Sequence, residues 1–415
     1  MSTPRSASAL SRRSLLAGVS TFPASALAMP GWLPVARAGD TSQKGIVRVG
    51  VIGCGGRGTG AAIQAALADP GVRIVALADR FADQVASSAT VLDRAIGERF
   101  RTPATRRFSG PEAAAQLVGS GVDMVILAGP PSTRPAHLAA AVAAGLHVWC
   151  ETPIAIDPAG LAMAAAALDA ADTRGVVVAA GLCSRHHAPT VATMHRIGAG
   201  AVGTIRSISL HHDGGLPWWK PLAATVSATE QLERNWISHD SRSGGAFVEH
   251  HVHALDRALW LLGDDEPLAV ERLSGGATVA AGGDAVHVRY RFASGVIVEA
   301  SCRRSATPGT GTSETVVGSR GRADLLAATI ERANEGLWRA EACRPGEAGA
   351  MYQAGVDALL RTIRSGGPDR GESGVGTAVS GRRLLRATAL AVMGRMASNG
   401  DQIAWGDVCS PAATA

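Results

Sequence analysis

From Val47 onward the chain alternates short apolar runs with longer stretches in which apolar residues recur at helical spacing. Val47–Ile52 is a β-branched run, and residues 72–78, 123–128, 147–150 and 176–180 are runs of the same kind. Short apolar runs bounded by Gly, Pro or Asp read as buried strands. Between them a helix is expected after Gly58, with Ile63 and Leu67 on one face, and others over 81–96 and 135–145. A further helix opens at Asp157-Pro158, with Asp157 as N-cap. Strands alternating with helices at this spacing predict a doubly wound parallel sheet, a Rossmann fold.

The second half has a different rhythm. Residues 202–212, 285–292 and 295–303 alternate as half-buried strands do, with Val286, Val288, Tyr290 and Phe292 on one parity. Residues 293–295 form the turn between the last two. This predicts a C-terminal α+β domain with an open, largely antiparallel sheet. Its exposed face needs a cover, which predicts a homo-oligomer. Val248, Val252, Leu255, Leu259 and Leu262 repeat at helical spacing, which puts Glu249, His253 and Asp256 together on another face. Residues 352–365 and 376–398 are also helical in pattern.

The first segment reads as an address. Ser11-Arg12-Arg13-Ser14-Leu15-Leu16 opens a modestly apolar run, and Ala36-Arg37-Ala38 offers small residues where a signal peptidase cuts. The paired arginines match signals read by the twin-arginine machinery, which exports folded proteins. The expected location is periplasmic or secreted. The expected organisation is a signal over 1–38, a linker over 39–46, a dinucleotide domain over 47–182 and a substrate and oligomerisation domain over 183–349. C-terminal helices over 350–400 and a tail over 401–415 follow.

Composition narrows the function classes. Apolar residues make up 46% and charged residues 18% of the 415, which marks a globular chain. No stretch of about 18 apolar residues lacks polar breaks, which excludes a multispanning membrane protein. The net charge is +5, and all but two of the 40 basic residues are arginine, spread without a basic run. Nucleic-acid binding needs a concentrated patch, so no nucleic-acid partner is expected. The six cysteines are scattered with no CxxC, which disfavours a zinc ribbon or a thioredoxin-like motif.

The chemistry starts at the end of the first strand, in Gly53-Cys54-Gly55-Gly56-Arg57-Gly58. Gly53 permits a tight turn, Gly55 lets the backbone approach a pyrophosphate, and Gly58 lets the helix pack close to the strand. Asp79, 21 residues after Gly58, ends the second strand, where a carboxylate accepts ribose hydroxyls. It also repels a 2′-phosphate, so NAD is expected over NADP, a preference that Arg80 weakens. Cys54 reads as a small loop residue. The ligand is expected at the carboxyl ends of the strands, near 53–58, Asp79, 130–132 and 151–153.

Further motifs extend the pattern: Gly129-Pro130-Pro131 followed by His137, Gly145-Leu146-His147-Val148 running into Glu151-Thr152-Pro153, Arg185-His186, and Gly244-Gly245-Ala246-Phe247-Val248-Glu249-His250-His251-Val252-His253-Ala254-Leu255-Asp256. Ile363-Arg364-Ser365-Gly366 and Met393-Gly394-Arg395-Met396-Ala397 also fit. With these, nearly the whole chain past the signal resembles the Gfo/Idh/MocA oxidoreductases. The resemblance implies an NAD or NADP cofactor, a sugar or polyol substrate, and C-terminal helices returning to the domain junction. It implies that Gly53, Gly55, Gly56, Arg57, Gly58, Asp79, Arg80, Pro131, His137, Glu151, Thr152 and Pro153 hold the cofactor. It maps a general base onto His253 and its partner acid onto Glu249. Where the family pattern reads Glu-Lys-Pro this chain has Thr152, so a fixed ammonium beside the reacting hydroxyl is missing.

Arg185, His186, Trp218, Trp219 and Lys220 are the candidate substrate residues. Tryptophan faces stack on sugar rings, and Lys220 or Arg185 is a candidate for the missing charge. His211, His212, Asp213, His251 and His253 are metal-ligand types, but histidines two apart on a helix point about 200° apart, so no metal is expected. The expected function is hydride transfer at a secondary alcohol of a sugar, polyol or glycoside. The alternatives are a redox-neutral glycoside-cleaving or lyase reaction on the same fold, and a sugar-binding homologue without catalysis. An exported protein meets little free NAD, so a tightly bound cofactor is expected.

Overall fold

The structure is a computed structural model that describes residues 45–409 except 264, 274–283, 308, 310, 334, 344–348, 367–377 and 398–401. The expected signal, most of the linker and the end of the tail lie outside the described residues. Among the described residues no helix is long and apolar enough to cross a membrane.

Six strands, β1 (Val47–Ile52), β2 (Val72–Asp79), β3 (Arg107–Ser109), β4 (Met124–Leu127), β5 (His147–Cys150) and β6 (Val178–Ala180), form one sheet in the order β3-β2-β1-β4-β5-β6. Every pairing in it is parallel. All but the short edge strand β3 are largely buried on both faces, which explains their mostly apolar runs. Strand order reverses between β1 and β4, which opens a crevice at their carboxyl ends. Helix Gly56–Ala68 packs close to β1 because Gly58 has no side chain: a Cβ there would stand 1.9 Å from the Gly53 carbonyl oxygen. Gly53 itself has φ of 96°, and a Cβ on it would stand 2.4 Å from the Gly129 nitrogen.

A second sheet has nine strands: β7 (Ile205–Gly215), β8 (Pro267–Arg272), β9 (Asp284–Phe292), β10 (Ile297–Ser305), β11 (Gly311–Gly318), β12 (Gly321–Asp324), β13 (Thr329–Arg332), β14 (Gly336–Arg339) and β15 (Ile403–Ala404). Their order is β14-β13-β12-β11-β7-β10-β9-β8-β15. It is antiparallel except at its centre, where β7 and β10 run parallel. That pair is parallel because β8 and β9 lie between them in sequence and add outside β10. Val286, Val288, Tyr290 and Phe292 all turn to the buried face, as their parity predicts.

Helices Ala350–Arg364 and Gly381–Ala397 return to the junction of the two sheets. The first lies on helix Gly56–Ala68, where Arg364 Nε donates to Asp69 Oδ2 at 2.8 Å. The second is buried on most sides. Gly381 sits against Leu168 and Val178 of the first domain, while Gly394 sits against Tyr290 and Phe247 of the second. Tyr290 Oη donates to the Leu390 carbonyl at 2.7 Å. This helix therefore fixes how the second sheet faces the crevice.

A Cβ on Gly394 would stand 2.2 Å from Tyr290 Oη, and the buried ring has nowhere to go without losing its hydrogen bond. Overpacking of this kind typically costs about 1–3 kcal/mol. Gly394→Ala is expected to lower stability by that amount in urea unfolding.

Candidate active site

The glycine loop is built for an anion. Helix Gly56–Ala68 starts without a side-chain cap and without an acidic residue in its first turn. Its leading N–H groups and its dipole are thus left to a negative ligand. Nothing lies within 4 Å of where a Gly55 Cβ would be, so the space above the loop is open. At the end of β2, Asp79 accepts from the backbone nitrogens of Cys54 at 2.7 Å and Phe81 at 3.0 Å. These bonds aim the carboxylate over the loop. Burial raises its pKa, against the two backbone bonds. The residues present thus fit a dinucleotide. Cys54 donates its thiol to the Ala78 carbonyl, and burial pushes its pKa far up, so it is inert packing.

Three expected cofactor residues are committed to protein partners. Arg57 Nη2 donates to Gln64 Oε1 at 2.5 Å, its Nε stands 3.1 Å from Glu151, and its guanidinium lies 5.1 Å from the centre of the Tyr352 ring. Glu151 is buried and also accepts from Trp149 Nε1 at 2.7 Å. Glu151 thus positions Arg57 beside the loop. Arg80 donates from Nε to Glu233 Oε2 of the second domain at 3.0 Å.

The other end of the cleft follows β4 and β5. The Thr152–Pro153 peptide is cis. Arg134, at the start of helix Arg134–Ala143, is buried and donates to the carbonyls of Pro153 and, at 2.6 Å, Gly129. It holds the Gly129-Pro130-Pro131 loop against the Thr152-Pro153 turn. Sequence reasoning missed it, since nothing local separates it from the chain's other arginines. His137, one turn further on, has its pKa lowered by burial and then by Arg134.

Thr152 meets His253 across the cleft, with Oγ1 at 3.1 Å from Nε2. His253 is half-buried, and desolvation, helped by Arg257, pushes its pKa down to about 4; Asp256 opposes them. It is a neutral imidazole at physiological pH.

The expected partnership of His253 with Glu249 takes a different form. The apolar repeat suggests one helix, but there are two, Gly245–Glu249 and Val252–Leu262. The Ala246 carbonyl accepts from both His250 N at 2.9 Å and His251 N at 3.3 Å, which widens the turn and breaks the four-residue register. Glu249 instead accepts from Arg304 Nη2 at 2.5 Å. Asp256 is the carboxylate that acts on His253, and it accepts two bonds from Arg185, at 2.8 Å from Nη2 and 2.9 Å from Nε.

The candidate substrate residues are not gathered at Thr152. Arg185 is bound to Asp256 and lies 4.7 Å from the centre of the Trp260 ring, so it is committed. His186 is packed beneath helix Ala350–Arg364, and burial holds its pKa at about 4. Trp218 packs edge-on against Trp236 with ring centres 6.3 Å apart, while Trp219 is half exposed beside His239. Lys220 lies over the Trp218 ring, and its charge is felt by Asp79 and Asp83. It therefore stands at the β2 end of the sheet, three strands from Thr152, and does not supply the charge beside it. His211, His212 and Asp213 bond Ser301, Thr312 and Arg303, and no three metal-ligand residues cluster among the described residues.

Comparison with known proteins covers both domains. Residues 47–182 match the profile described as the oxidoreductase family with an NAD-binding Rossmann fold, and residues 191–324 match the Gfo/Idh/MocA C-terminal domain. The chain belongs to the Gfo/Idh/MocA family. It is 27% identical over 228 residues to a dTDP-3,4-didehydro-2,6-dideoxy-alpha-D-glucose 3-reductase of Streptomyces violaceoruber, covering 55% of this chain and 58% of that protein. It is 39% identical over 116 residues to a glycosyl hydrolase family 109 protein of Streptomyces niveus, covering 28% of this chain and 22% of that protein. The chain thus spans only part of the length of the curated relatives it matches. In fold it is similar to the aldose-aldose oxidoreductase of Caulobacter crescentus, solved with glycerol: TM-score 0.63, 19% identity, covering 86% of this chain and 99% of that one.

Two outcomes follow from this Gfo/Idh/MocA site. Gly55→Val fills the open space above the loop without meeting protein atoms, so it is expected to abolish NAD binding in calorimetric titration and leave the melting temperature unchanged. His253, His186 and His251 have folded pKa values of about 4, about 4 and about 3, below their ordinary 6.5. The unfolded chain therefore binds more protons in this range, so their contribution to stability is complete above pH 6.5 and is lost as pH falls toward 4. Tm measured by calorimetry is expected to fall steadily over that window; a flat profile would contradict the burial of these rings.

Proposed function

We propose that this chain is an exported oxidoreductase that exchanges a hydride with a secondary alcohol carbon of a sugar, polyol or glycoside, using NAD it carries tightly bound. The observation that carries this reading is the contact between Thr152 and His253, 3.1 Å across the cleft, at the carboxyl edge of the sheet that bears the glycine loop. Relatives named for a sugar reductase and an aldose oxidoreductase support the carbohydrate class. Asp79, bonded to place a carboxylate over the loop, supports NAD over NADP.

Bound in the cleft, the nicotinamide supplies the acceptor for the hydride that leaves the carbinol carbon. His253 takes the proton on Nε2 through the Thr152 hydroxyl, which donates to the neutral ring as it accepts from the substrate hydroxyl. Thr152 holds the imidazole toward the substrate, and Asp256 favours the charged form as the proton arrives. The paired arginines at Arg12 and Arg13 support export of the folded, loaded protein, and the polar open face of the second sheet supports a homo-oligomer.

A second reading has its own support. Thr152 carries no charge where the family resemblance expects a lysine, and part of the chain is 39% identical to a glycosyl hydrolase family 109 protein. A redox-neutral cleavage fits both. There a ring carbon is oxidised only transiently, the neighbouring C–H becomes acidic, elimination follows, and the hydride returns. Incubation with a panel of sugars and aryl glycosides separates the readings: net NADH marks the first, and aglycone release without net NADH marks the second.

Removing one electrostatic donor at a developing oxyanion typically costs about 10²–10³ in rate. Wild-type turnover of simple sugars with added NAD is therefore expected to be weak. Thr152→Lys is expected to raise hydride transfer and lower Tm, because it adds a half-buried cation near Arg134. His253→Ala is expected to abolish transfer in either background. Strong wild-type turnover that Thr152→Lys leaves unchanged would show that position 152 does not limit the reaction.

A further inference from the structure

One segment of the second domain has no part in the chemistry above. After β7 the chain runs out to the Asp79 end of the parallel sheet before returning to the helix Gly245–Glu249. It is closed on itself: Lys220 N donates to Asn235 Oδ1 at 2.6 Å, Asn235 Nδ2 donates back to the Lys220 carbonyl at 3.2 Å, and Asn235 is fully buried. Helix Ala228–Arg234 then docks on the turn after β2. Arg80 Nε donates to Glu233 Oε2 at 3.0 Å, and Arg234 donates to both oxygens of Asp83, at 2.9 and 3.1 Å. The Arg234 guanidinium also lies 3.9 Å from the centre of the Phe81 ring.

The turn so held is the one that aims Asp79, since Phe81 N is a donor to its carboxylate. In a doubly wound fold the adenosine half of a dinucleotide lies at this strand end, outside the glycine loop. We propose that residues 216–238 form the outer wall of the adenosine subsite and retain the bound dinucleotide from one turnover to the next. The proposal rests on the cofactor reading above and assigns the retention to Glu233 and Arg234.

Adenosine leaving outward has to part the Arg80–Glu233 and Asp83–Arg234 pairs together, since one short helix carries both partners. Each pair is partly exposed, so each alone is weak and salt-sensitive. Acting together they slow release without adding a contact to the reacting end. A cofactor held in this way is re-poised in place, by a second carbohydrate of the opposite oxidation state or by the same substrate later in its reaction.

The test loads the full chain with NAD and follows its release into excess unlabelled NAD, for wild type and for the double variant Glu233→Gln, Arg234→Gln. Release from the variant is expected to be roughly tenfold faster at low ionic strength, the loss of about 1.4 kcal/mol. Raising the salt to about 0.5 M is expected to speed wild-type release and leave the variant unchanged. The salt arm decides the matter with wild type alone if the variant does not fold. Equal release rates, or wild-type release that salt does not alter, overturn the wall and leave the cofactor reading standing. A wild-type protein that binds no NAD overturns the cofactor reading itself.

Discussion

The cleft depends on a guanidinium buried without a carboxylate to bond. Arg134 donates to the Pro153 and Gly129 carbonyls, and its Nε has no hydrogen-bond partner among the described residues. Burying a cation costs several kcal/mol even after relaxation. Two carbonyl dipoles and the nearby charges of Glu151 and Glu249 offset that cost here. The result is a fixed spacing between the loop after β4 and the turn after β5. The glycine loop joins them, because Gly53 packs on the Gly129 nitrogen with no room for a Cβ. Three strand ends are thus set by one side chain, and the Thr152 hydroxyl reaches His253 because of it.

The same cation explains the electrostatic character of position 152. The carboxylates around it are already engaged: Glu151 with Arg57 and Trp149, Glu249 with Arg304, and Asp256 with Arg185. An ammonium placed beside the Pro153 carbonyl adds a cation next to Arg134, whose nearby carboxylates are already bonded to other groups. A threonine hydroxyl bonds His253 and adds no charge. Neutrality extends to the imidazoles, since burial and Arg257 depress His253, and burial and neighbouring positive groups depress His251.

Much of the fold was legible because its signals are local. Five of the six parallel strands are short, mostly apolar runs, the glycine loop is contiguous, and Asp79 sits at the end of the next strand. What escaped the sequence is long-range. The break at His250–His251 leaves the apolar repeat nearly intact, so periodicity carried one helix through it. The partners of Glu249 and Asp256 lie 55 and 71 residues away, and choosing them needs the tertiary packing. Arg134 and Arg234 look like any of the chain's arginines until burial and docking distinguish them. Lys220 was read beside the reacting centre because Trp218 and Trp219 resemble a sugar platform. Its place at the other end of the cleft is set by Asn235, fifteen residues on.

Within the proposed reaction, the low proton affinity of His253 also bears on direction. An imidazole with a pKa of about 4 accepts the hydroxyl proton only as the departing hydride turns that oxygen into a carbonyl, and then holds it weakly. Asp256 steadies it only in part, because its carboxylate is shared with Arg185 in a buried pair. The Thr152 hydroxyl can stay bonded to the ring in either protonation state, accepting where it had donated. Such a group suits a cycle in which the proton goes back to the same oxygen soon after it is taken. Net oxidation requires the proton to leave for solvent at each turnover, which a weak buried base also permits, but transient oxidation requires its prompt return. A neutral Thr152–His253 pair thus serves both readings, and the fate of the hydride, not the base, separates them.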